Sequence, residues 1–186
     1  IDAVNDVDEA ITVATLAAFK PVVAGEMIGT VKIIPYGVAR AAVAAALLPA
    51  RGRDVIRVAR YRIRRVGMIS TLTPGLKPSI VAKTVAVLRR RLAPAGANVV
   101  AEAACPHAVQ ALTPALVRQA EGEAELLVVF GASAIADRRD VIPAAIERAG
   151  GRVVHLGMPV DPGNLLLLGE IGGKPVLGAP GCARSP

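Results

Sequence analysis

The chain has 186 residues, 53% of them hydrophobic and only 2% aromatic, with 22 Lys and Arg against 15 Asp and Glu for a net charge of +7. That apolar share excludes a disordered tail, which cannot bury enough surface to offset its ordering entropy. The longest apolar stretch, residues 31–50, is broken by Lys32, Pro35, Gly37, Arg40 and Pro49, so no run of about 18 apolar residues exists to cross a bilayer and no membrane partner is expected. A globular, soluble chain is the expectation. With two Phe, two Tyr and no Trp, its core must be built from Ala, Val, Leu and Ile. Cys105 and Cys182 fit no metal-ligand spacing and follow no secretory signal, which predicts free thiols and a cytoplasmic location. The start at Ile1 and the stop at Pro186 in a loop-like stretch read as the ends of a fragment.

Residues 1–65 form a small mixed α and β segment in this reading. ITVATLAAF and EMIGTVKII carry strand-like β-branched content, and residues 39–48 read as a helix ending at Pro49. An Arg-dense linker follows, with Arg51, Arg53, Arg57, Arg60, Arg62, Arg64 and Arg65. Its YRIRR part alternates like a strand with a solvated edge, and Tyr61 alone gives bases nothing to stack on in series, so no nucleic-acid partner is expected.

From residue 66 short β-branched runs alternate with amphipathic stretches, the pattern of βα units on a mainly parallel sheet. The first strand spans residues 66–70. Ser79 is placed to cap a helix whose apolar positions run from Ile80 to Leu92, with Arg89, Arg90 and Arg91 suiting its C-terminal dipole and Pro94 and Gly96 ending it. Strand 98–104, helix 113–119 and strand 125–130 follow, the last apolar enough to be buried on both faces. Helix 141–149 closes at Gly150 and Gly151 before strand 152–156. LLLLGEI and KPVLGAP around Gly172 and Gly173 give the strongest hairpin signal.

Two loops carry the chemistry. GASAIADRRD lies between a buried strand and a helix, the place where open α/β sheets bind ligands. Gly131, Ala132, Ser133 and Ala134 allow close backbone approach to an anion, while Asp137 and Asp140 could hold a hydrated Mg²⁺ or steer a proton. The competing reading makes Asp140 simply the cap of the next helix. GAPGCARSP offers Arg184 and Ser185 as phosphate or carboxylate donors. DPGN, residues 161–164, reads as a type II turn, and Met158 beside it as core. Cys105 and His107 are too close in sequence for a nucleophilic pair, and neither His107 nor His155 joins a constellation.

Taken together, GASAIADRRDVIP, MPVDPGN, a Leu-rich strand, GGKPVLGAPG and CARSP resemble the molybdopterin-binding (MoCF) domain of molybdenum-cofactor biosynthesis proteins, which include molybdopterin adenylyltransferase and molybdopterin molybdenumtransferase. The resemblance covers residues 66–186 and implies a three-layer α/β/α domain binding molybdopterin, or a nucleotide-linked form, at the strand ends. It implies binding roles for Ser70, Thr71, Gly131, Ala132, Ser133, Pro180, Gly181, Arg184 and Ser185, with Arg184 as an electrostatic clamp. It also implies a catalytic role for Asp140 as the Mg²⁺ ligand, beside which Asp137 stands as the second catalytic candidate from the loop itself. DVDEAITVATL with GTVKIIPY resembles the region preceding this domain in a bacterial subgroup, where the chain can continue into a nucleotidyltransferase-like domain. Ala132 replaces the second of the family's paired glycines, one extra residue precedes Asp140, and STLTPG lacks the usual acidic residue. These departures favour binding over Mg²⁺-dependent transfer chemistry. An active transferase, and a ligand-free scaffold that serves oligomerisation, are the alternatives.

Overall fold

A computed structural model describes residues 1–161 and 163–184. The chain divides into two compact units, Ile1–Arg60 and Tyr61–Pro186. In the first, α1 (Asp2–Asn5) precedes an antiparallel pair, β1 (Ile11–Thr15) and β2 (Gly29–Ile33), in register Ile11 to Ile33. A helix α2 (Arg40–Leu47) then runs into a 3-10 turn, Leu48–Ala50. Val4, Ile11 and Ala46 form its small core. Asn5 locks the first strand to α1, donating from Nδ2 to the Val13 carbonyl and accepting the Val13 amide at Oδ1. The strands are shorter than the β-branched runs suggest, because Phe19, Val23 and Met27 lie exposed in the connection rather than on a buried face.

The Arg-rich stretch is solvated, with Arg51, Arg53, Arg57, Arg60, Arg62 and Arg64 all exposed. YRIRR is no edge strand, however. Regular structure begins only at Arg65, where Glu125 accepts the amides of both Arg64 and Arg65 at Oε2. These amide bonds, chiefly that from Arg64, hold the Glu125 carboxyl below its ordinary pKa.

The second unit is a six-stranded mixed sheet. β3 (Arg65–Leu72), β4 (Asn98–Pro106) and β5 (Leu126–Phe130) alternate with α3 (Pro78–Leu92) and α4 (Val109–Glu121). They are followed by α5 (Val141–Arg148), β6 (Arg152–Leu156), β7 (Leu167–Ile171), β8 (Lys174–Ala179) and a closing 3-10 turn, Gly181–Arg184. Spatial order is β4-β3-β5-β8-β7-β6. β4, β3, β5 and β8 are mutually parallel, while β7 runs antiparallel to both of its neighbours. The β7–β8 hairpin therefore enters between β5 and β6. Burial explains this order: Leu167, Ile171, Val176 and Ala179 are buried, whereas β6 exposes Arg152, Val154 and His155 and suits an edge.

Helices cover both faces. Val85 and Leu88 of α3 pack on Val66, Met68, Val128 and Phe130. Leu112 and Leu116 of α4, with Ile142 and Ile146 of α5, pack on Ile69, Leu127, Val129 and Val176 of the other face. This is the expected α/β/α sandwich, and β5 is buried on both faces as its composition implied.

Element ends differ from expectation for local reasons. α3 starts after Lys77 with Pro78 as its first residue, and Ser79 makes no cap; proline suits that position because its missing N–H has no partner there anyway. α4 begins a full turn before Thr113 and carries Pro114 internally. Met158 is a half-buried loop residue outside the core clusters. Pro162 of the DPGN turn lies outside the described residues.

Candidate functional site at the strand ends

Because β3, β4, β5 and β8 are parallel, their C-terminal ends lie along one edge of the sheet, and the residues after them converge there. Thr71 closes β3, His107 follows β4, Gly131–Ser133 follow β5 and Arg184 follows β8. The Thr71 hydroxyl accepts the Ala132 amide at 2.9 Å, lies 3.3 Å from the Phe130 carbonyl and 2.8 Å from His107 Nδ1. His107 Nε2 lies 2.9 Å from the Ser133 hydroxyl. One chain of contacts thus joins three strand ends and finishes at an exposed serine.

Gly131 is required by close approach. Its amide donates to the Ala179 carbonyl at 2.8 Å, and a Cβ there would meet the Ser133 carbonyl at 2.8 Å and Ile142 at 3.2 Å. Gly181 has more room, with its nearest neighbours at 3.7 and 3.9 Å from such a Cβ. Pro180 is buried and accepts the Ala183 amide.

Arg184 lies beneath these loops. Its Nη2 donates to the carbonyls of Thr71, Phe130 and Gly131 at 3.1, 3.0 and 3.3 Å, and the guanidinium sits 5.9 Å from the Phe130 ring centroid. Burial lowers its pKa, and among the described residues no carboxylate pairs with it. The side chain braces the last carbonyls of β3 and β5 while leaving an unneutralised positive charge under the edge.

The carboxylates are turned inward on their own loop. Asp140 occupies the cap position of α5 but makes no side-chain cap bond; its Oδ2 instead accepts the amides of Ala136 and Asp137 at 2.7 and 2.9 Å. Asp137 binds the Arg139 guanidinium at 2.9 Å, and this bond holds its carboxyl below the ordinary range. The loop is thereby fixed, and the Ser133 and Ala134 amides donate to no partner among the described residues. No three His, Cys, Asp or Glu side chains among the described residues gather as a metal site. With one carboxylate ion-paired and the other bonded to two amides, this donor set does not fit a Mg²⁺ ion organised by Asp140 and Asp137.

One further expectation lands elsewhere than an open site. Ser70 is fully buried in β3 and its hydroxyl has no hydrogen-bond partner. Ser185 lies outside the described residues. Conversely, His107 had no role in the sequence reading, yet it links Thr71 to Ser133. Its position directly after a parallel strand was the available signal, since every such strand delivers its next residue to this edge. Cys105 packs against the α4 side of the core, where burial pushes its thiol pKa up, so it is no thiolate partner for His107.

Residues 67–185 match the model of the family described as "Probable molybdopterin binding domain". No curated protein matches the chain. Among solved structures, the molybdopterin biosynthesis MoeA protein from Pyrococcus horikosii is 27% identical with a TM-score of 0.46, over 74% of this chain and 34% of that one. The chain thus spans about a third of that protein's length. Molybdenum cofactor biosynthesis protein B is 15% identical with a TM-score of 0.50, over 68% of this chain and 86% of that one, and shares the fold. With more than half of its length matched by the family model, the chain belongs to the molybdopterin-binding domain family of molybdenum-cofactor biosynthesis.

Proposed function

We propose that the chain binds molybdopterin, or a nucleotide-linked form of it, by holding the ligand's phosphate at the C-terminal edge of β3, β4, β5 and β8. The observation that carries this is the pairing of a half-buried cation, Arg184, that has no carboxylate partner among the described residues, with the exposed Ser133 hydroxyl and the Ser133 and Ala134 amides of a braced loop, which donate to no group among the described residues. Fixed amides and a cation in partly desolvated surroundings are the chemistry a phosphate selects. Thr71 and Gly131 shape the edge, Pro180 and Gly181 bring Arg184 beneath it, and Asp140 and Asp137 hold the loop rather than a metal. The proposal is a binding function and not Mg²⁺-dependent transfer.

Equilibrium binding of molybdopterin to the purified chain tests it. Ser133→Ala is expected to weaken binding about tenfold, the worth of one hydrogen bond to a charged group. Equal affinity for molybdopterin and a pterin lacking the phosphate would overturn the reading.

A further inference from the structure

The outward side of α4 carries a surface that the strand-end edge does not use. α4 buries Leu112, Ala115, Leu116 and Gln119, and Leu112 and Leu116 share a core cluster with Ile142 and Ile146 of α5. Helical spacing sets Gln110, Thr113, Pro114 and Val117 in a stripe beside that buried face. Together with Arg118, and with Arg148 at the end of α5, they line an open groove of about 460 Å³. The stripe is about 10 Å long, roughly two helical turns, which is the reach of about three residues of extended chain.

Three features of the lining describe one kind of occupant. Arg118 and Arg148 are exposed, and among the described residues no carboxylate pairs with either. Glu121 stands three residues beyond Arg118, a spacing that allows an ion pair, yet the pair is not made. Pro114 and Val117 supply apolar surface. Pro114 also has no N–H, so the Gln110 carbonyl lacks the donor that the next helical turn would give it. A small oxyanion would satisfy the guanidinium groups, but it would leave the apolar surface bare and bring no donor to that carbonyl. An acidic stretch of polypeptide supplies carboxylates, an apolar side chain and backbone N–H groups at once.

We propose that the groove between α4 and α5 docks a short acidic segment of a partner protein. Arg118 and Arg148 take its carboxylates, Pro114 and Val117 take an apolar side chain, and the Gln110 carbonyl accepts one of its backbone amides. The net charge of +7 favours approach of such a partner over long range.

The probe is a blocked pentapeptide alternating glutamate and leucine, added to the isotopically labelled full chain at low salt and followed by amide shifts. Saturable shifts are expected at residues 110–118 and at Arg148, with an apparent Kd below about 1 mM and weakening as salt is raised. The counterpart with glutamine for glutamate should bind about tenfold more weakly, and Arg118→Ala and Arg148→Ala should each cost about two- to fivefold. Both arginines are exposed, so neither variant endangers the fold. No saturable response, equal binding of the glutamine peptide, no loss in either variant, or shifts centred on residues 51–64 would overturn the proposal. An equal response to inorganic phosphate would also overturn it, by reducing the groove to a simple anion site. Shifts of the same amides on concentrating the chain alone would overturn it in favour of a face for a second copy.

Discussion

Ser70 and Thr71 are adjacent on β3, and the alternation of a strand sends their side chains to opposite faces. Ser70 is fully buried with an unsatisfied hydroxyl, whereas Thr71 organises the site through the Ala132 amide and His107. Removing an unpaired buried hydroxyl relieves a desolvation cost, so Ser70→Ala should leave stability unchanged or raise it by up to about 1 kcal/mol, with molybdopterin affinity unaffected. Thr71→Val keeps the shape but strands the Ala132 amide and His107 Nδ1, and should cost about 1 to 3 kcal/mol in denaturant unfolding while weakening binding. From sequence alone both residues were equal candidates, because the side of a strand each faces is set by packing partners that lie far along the chain. His107 adds a pH signature. Its pKa is lowered in the folded state, so the unfolded chain takes up the proton first as pH falls. Its contribution to stability is complete above the unfolded value of about 6.5 and is lost as pH drops towards the lower native value. Melting temperature should decline through that window in the unmodified chain and less so in His107→Gln.

At the scale of elements, the parallel order of β3, β4, β5 and β8 creates the site, and the β7–β8 hairpin supplies β8 with its trailing arginine. The hairpin was legible because Gly172 and Gly173 both adopt positive φ, +56° and +77°, joining Ile171 to its partner Lys174 in the geometry that glycine alone enters freely. Gly173→Ala should destabilise the domain by about 1 to 2 kcal/mol, read as a lower denaturation midpoint. The alternating βα pattern likewise announced the sandwich. Its strand order was not readable, since the insertion of the hairpin between β5 and β6 depends on which strands can be buried on both faces. Nor was the inward turn of Asp140 visible: the cap position was right, but the carboxylate finds two amides of its own loop before it reaches α5.

For the whole molecule, the scarcity of aromatic residues has a structural counterpart. Phe130 is buried under Arg184, while Phe19, Tyr36 and Tyr61 are exposed, so aliphatic packing and backbone amides dominate both core and site. Much of the +7 charge lies in the solvated stretch from Arg51 to Arg64, whereas the edge relies on Arg184. No helix among the described residues is long and apolar enough to cross a membrane. Each unit carries its own core, so residues 61–186 expressed alone should unfold in one cooperative transition, and a broad non-cooperative melt would contradict that independence. The most direct test of the account is an amide-resolved NMR titration of the full chain with molybdopterin. The account predicts saturable shifts concentrated at Thr71, His107 and residues 131–140; shifts centred on residues 51–64, or none at all, would contradict it.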